Sequence, residues 1–155
     1  MRKVLFLLVG LLMFNCLSQK PDKNDGGDSI TSTKIRELIK EKRFSILQNA
    51  EMVVRINISK TLIDGSTDEY YNKLTILDTL NKAEATAFKN SLQNDETYNW
   101  EVPAKEPSFD PQQQFLLKGK GAQLRVLLDS RSKLLGFIDL YGQELIAIKG
   151  TIYFQ

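Results

Sequence analysis

The sequence predicts an α+β fold, an antiparallel β-sheet of about five to six strands ending in a C-terminal meander, with two helices packed on one face. Three observations predict it. Met52, Val54, Ile56 and Ile58 alternate with Val53, Arg55, Asn57 and Ser59, the period of a half-buried strand. Two stretches carry apolar residues at helical spacing, and the last third consists of short apolar runs punctuated by turn residues. At 155 residues, 42% hydrophobic and 26% charged, the chain is one domain's worth with enough apolar content for a core.

The first helix is expected over residues 31–44, where Ile35, Leu38 and Ile39 share a stripe and Ser29, Thr31, Ser32 or Thr33 supplies an N-cap. Its other positions hold Lys34, Arg36, Lys40, Lys42 and Arg43 against Glu37 and Glu41, which reads as a solvated face. The strand starting at Met52 meets turn chemistry at Asp64-Gly65, and residues 70–77 return as the second strand of a wide hairpin. Asn81 followed by Glu84 has the spacing of a capping box, and the helix it opens carries Ala85, Phe88 and Leu92 as its stripe before Asn94-Asp95 ends it.

Residues 98–111 hold Tyr98, Trp100, Val102, Phe109 and three of the four prolines, a composition that excludes regular structure. Aromatics there either pin the segment to the core, the commoner fate, or stay exposed, in which case Tyr98, Trp100 and Phe109 form the candidate binding surface. Four strand-like runs follow at 113–118, 122–128, 134–140 and 144–148, and the third is apolar on both faces, as a central strand is. Gly119-Lys120-Gly121 lacks the spacing of a phosphate loop and leads into a strand, so it reads as a turn. Ser130-Arg131-Ser132-Lys133 matches the string of a Ser-Lys dyad but falls between strands, where a hairpin loop is the expectation.

Ahead of the domain, Arg2 and Lys3 precede an apolar run over residues 4–14 that is too short to span a bilayer, the layout of a signal peptide. The run ends at Leu12-Met13-Phe14-Asn15-Cys16, on the only cysteine of the chain. This resembles the lipobox of bacterial lipoproteins in an irregular form, with Met13, Phe14 and Asn15 where the family prefers leucine and then two small residues. Such looser lipoboxes are similar to those of spirochaetes and Bacteroidota. The resemblance implies cleavage before Cys16, lipidation of that residue and anchoring in the membrane, with the outer membrane as the expected destination. Cleavage after Ser18, giving a periplasmic or secreted protein, is the alternative. The division is then 1–15 signal peptide, 16–29 flexible tether with a reach of roughly 20 Å, and 30–155 globular domain.

The formal charge of +2 belongs to Arg2 and Lys3, so the chain from Cys16 onward balances acids and bases and offers no footprint for nucleic acid. The absence of histidine excludes Ser-His-Asp and Cys-His nucleophile pairs and histidine-containing zinc sites. Catalysis would fall to carboxylates such as Asp110, Asp129, Asp139 and Glu144, which no spacing pairs; at strand ends, Asp129 and Asp139 read as solvated turn residues. The expectation is a lipid-anchored, non-enzymatic envelope protein without metal or cofactor that binds a protein or envelope polymer. A carboxylate-dependent hydrolase of an envelope polymer, or an inhibitor of a host or competitor enzyme, is the alternative.

Overall fold

A computed structural model describes residues 34–104, 109–150 and 152. The signal peptide, Cys16, the tether and the expected caps of the first helix lie outside them. The order is α1 (Lys34–Asn49), β1 (Met52–Leu62), β2 (Tyr70–Thr79), α2 (Lys82–Gln93), a 3-10 turn (Asp95–Thr97), β3 (Gln113–Gly119), β4 (Ala122–Asp129), β5 (Leu134–Asp139) and β6 (Gly142–Ala147). The strands form one antiparallel sheet in the order β2-β1-β3-β4-β5-β6. This is the expected α+β fold.

The core lies between the helices and one face of the sheet. Ile35, Ile39, Phe44 and Leu47 of α1 and Phe88 and Leu92 of α2 meet Val53, Phe115, Leu117, Leu124, Val126 and Phe137. The Phe88 and Phe115 rings sit 4.5 Å apart. The capping box is present at α2, where Asn81 Oδ1 accepts from the Glu84 amide (3.0 Å) and Glu84 Oε2 from the Asn81 amide (2.8 Å).

Helix α1 continues five residues past the expected end at Phe44, because Leu47 extends its buried stripe. It also breaks at Lys40, whose φ of 70° and ψ of 154° are not helical. The break lets Ile39 and Phe44 both point inward, and the Arg36–Glu41 ion pair spans it at 2.7 Å. At the start of the described helix, the Lys34 and Ile35 amides donate to the Asp95 carboxylate, so a residue distant in sequence satisfies the amides of the first turn.

The opposite face of the sheet is also partly covered. Phe109 lies over Gly136, where an added Cβ would meet its Cζ at 2.9 Å. Strand β5 is buried on both faces from Leu134 to Phe137, as the sequence predicts. The two edges of the sheet differ. Along β6, the chain around Tyr98 adds a bridge to Ile148, with hydrogen bonds from the Asn99 amide to the Ala147 carbonyl (2.8 Å) and from the Lys149 amide to the Thr97 carbonyl (3.0 Å). Along β2, no described residue pairs with the outer edge.

Candidate binding surface

Tyr98, Trp100 and Phe109 do not share a surface. Tyr98 is 0% exposed and its hydroxyl donates to the Leu92 carbonyl at 2.5 Å. Burial, with the charge of Asp95 added, pushes its phenol well above the usual tyrosine range. Half-buried Trp100 packs against the core, its ring edge-on to Tyr98 at 5.5 Å and its Nε1 donating to the Asp95 carbonyl at 2.9 Å. Phe109 occupies the other face of the sheet. The reading of this trio as one exposed binding surface is therefore corrected: Tyr98, Trp100 and Phe109 serve as packing anchors, the commoner of the two fates the sequence offered.

The carboxylates named for acid-base work are each engaged. Asp139 accepts from the buried Arg43 guanidinium at 2.9 Å and from the Tyr141 amide, and Glu144 approaches the same guanidinium at 3.6 Å. The Arg43 bond holds the Asp139 carboxyl below its ordinary range despite the opposing effect of burial. Asp129 is 1% exposed, so the expectation of a solvated turn carboxylate there is also corrected. It accepts from the amides of Asp110, Arg131 and Ser132 at 2.8, 3.0 and 3.1 Å. Burial pushes this carboxyl up, and hydrogen bonds from Asp110, Ser132 and Gln112 outweigh it and leave it lowered. Asp110 lies between Lys60 (3.3 Å) and Arg131 (2.7 Å). A general acid needs a raised pKa, and neither Asp129 nor Asp139 has one.

A cleft of about 480 Å³ opens beside the β5–β6 turn, lined by Lys42, Ile46, Lys118, Arg125, Asp139 and Tyr141 among others. Lys42 Nζ sits 4.2 Å from the centroid of the Tyr141 ring, a cation–π contact that uses one of the cations. Among the described residues no group of acidic, cysteine or histidine side chains is placed to hold a metal ion. None of their helices is long and apolar enough to cross a membrane.

Among the described residues, the β1–β2 hairpin is left open as well. Strand β1 is in register with β3 over Met52 to Asn57, with one further bond from the Ile58 amide to the Gln112 carbonyl (2.8 Å), whereas its pairing with β2 continues to Leu62. The distal part is thus a two-stranded arm, closed by Gly65 at φ +81° and by the Ser66 hydroxyl accepting from the Asp68 and Glu69 amides. Every residue of β2 is exposed. Register places Ile76 beside Ile56, Leu74 beside Ile58 and Tyr70 beside Leu62 on one face, with the polar pair Lys60 and Asn72 set between the last two. Tyr70, Leu74 and Ile76 are 59%, 57% and 70% exposed. The other face of the arm carries Asn57, Ser59, Thr61, Lys73 and Thr75 with Tyr71, and nearer the sheet the Arg55–Asp78 ion pair. The apolar row adjoins Val54 and Ile56, which are buried in the body of the sheet. Leu77 falls in a bulge and is exposed as well.

Sequence reasoning placed these residues in a strand but not on a surface. Their alternation says that one side is apolar without saying what covers it. The chain matches no family model, no curated protein and no solved structure.

Proposed function

We propose that the chain is an exported protein of the cell envelope, held at the outer membrane by a lipidated Cys16, whose domain binds a protein or envelope polymer without catalysing a reaction. The β1–β2 arm is its binding surface. The single observation that supports this is β2: a ten-residue edge strand exposed throughout, with an apolar row of Tyr70, Leu74 and Ile76 on one side. Soluble domains rarely leave a long apolar edge strand open unless something pairs with it or covers it. Anchoring rests on the single cysteine ending the apolar leader, and two or more acyl chains suffice for stable attachment.

Crosslinking the protein in its native envelope, with photoreactive residues at Leu74 and at Lys120 on the far turn, tests the surface. Adducts are expected from Leu74 and not from Lys120; the reverse pattern overturns the assignment. Cys16→Ser is expected to move the protein from the membrane to the soluble fraction, and unchanged membrane fractionation overturns the anchor.

A further inference from the structure

We infer that the β2 edge takes a second copy of this chain. Two β2 strands add antiparallel about a two-fold axis normal to the sheet and join two six-stranded sheets into one. The inference rests on the arm being the binding surface and goes further by naming what binds there. The first argument is the asymmetry of the edges. The chain spends the segment around Tyr98 covering β6 and applies no described segment to β2.

The second argument is self-complementarity. A two-fold axis normal to the sheet pairs residues of the same face, so the rows of the two copies run on side by side. Centred on Leu74, the register sets Leu74 against its own copy, Asn72 against Ile76, and Lys73 against Thr75, with no like charges opposed. Centred on Lys73, it would set two ammonium groups face to face. Centred on Asn72, it sets Asn72 against its own copy, Tyr71 against Lys73 and Tyr70 against Leu74, again with no like charges opposed. The bulge at Leu77 ends regular pairing on one side, which leaves Tyr70 to Ile76 as the uninterrupted segment, and both the Leu74-centred and the Asn72-centred registers use it. Contact area is available in addition. Tyr70 and Tyr71, at 59% and 49% exposure, alone present about 200 Å² per copy, a quarter of the roughly 800 Å² per partner that a stable interface buries.

The test uses the full chain carrying Cys16→Ser, purified in density-matched detergent, so that acyl chains do not drive association. Sedimentation equilibrium is expected to give twice the chain mass at tens of micromolar. Leu74→Lys, at an exposed position, is expected to weaken association at least tenfold with an unchanged circular dichroism spectrum, and Ile76→Lys serves as a second variant should the first misfold. Leu74→Cys in one register, or Asn72→Cys in the other, is expected to form a disulfide-linked dimer on mild oxidation while Lys120→Cys does not, because paired Cα atoms about 4.5–5.5 Å apart lie within disulfide reach. A monomer at all concentrations, or association that survives both lysine variants, overturns the inference. A monomer whose Leu74 still crosslinks to a different envelope component overturns the second copy and leaves the binding reading standing. A monomer with no adduct at Leu74 removes both.

Discussion

At Asp129 the amides of Asp110, Arg131 and Ser132 converge on one carboxylate that solvent barely reaches. Two of those amides belong to the β4–β5 turn and the third to the chain entering β3, so the group ties a hairpin to a loop. Asp129→Asn removes the charge that these donors share and turns an NH₂ toward one of them. A loss of about 2 kcal/mol is expected in urea unfolding. Asp129 and Asp139 both titrate lower in the fold than in a free chain. Their stabilisation is therefore complete above the ordinary carboxylate pKa and is lost as pH falls through the folded value. The melting temperature is expected to hold near neutrality and to drop below about pH 4, less steeply in Asp129→Asn; equal acid slopes in the two proteins would refute this. Tyr98 acts at the other end of the scale, since its raised phenol pKa keeps stability below about pH 10 and loses it above. A carboxylate at the end of a strand looks the same in sequence whether its donors are amides or water. That is why Asp129 read as solvated.

The elements divide by whether their causes are local. Helix α2 was legible because Asn81, Glu84 and the stripe of Ala85, Phe88 and Leu92 contain its start and its buried side within a dozen residues. The break in α1 was not, because Lys40 adopts φ 70° to let Ile39 and Phe44 reach one core. The donors of that helix's first described turn find Asp95 only after the chain has folded. A non-glycine residue at such a φ costs about 1–3 kcal/mol, partly offset in glycine by its greater loss of chain freedom. Lys40→Gly is thus expected to stabilise the domain by about 1 kcal/mol and raise the melting temperature by about 3 °C; a decrease would show that Lys40 is not strained. In β5, Gly136 is small because Phe109 lies over it. Gly136→Ala is expected to displace that ring at a cost of about 1–3 kcal/mol, seen as faster proteolysis between Trp100 and Gln112. Unchanged proteolysis would mean that Phe109 does not hold the segment.

At the scale of the whole molecule, the buried core and the surface proposed for recognition occupy different parts of one sheet. Every buried cluster residue comes from the helices, from β1 near Val53, from the meander strands β3 to β6, or from the segments at Ala50, Leu80, Tyr98, Ile148 and Ile152. The distal arm contributes none. The sequence predicted the hairpin from its alternation, yet the same alternation suits a strand closing its own core and a strand waiting for another chain. Only the relation of β2 to its neighbours separates the two, and that relation belongs to the fold. The separation is testable by shortening the arm, joining Thr61 to Tyr71 through Asn-Gly, which suits a two-residue hairpin and removes Leu62, Ile63 and Tyr70. Because none of these residues packs in the core, the melting temperature is expected to stay within about 2–4 °C of the original, while crosslinking from Leu74 weakens. A fall far beyond that range would place the arm among the elements that hold the fold together. Its apolar row would then stabilise the chain itself instead of receiving a partner.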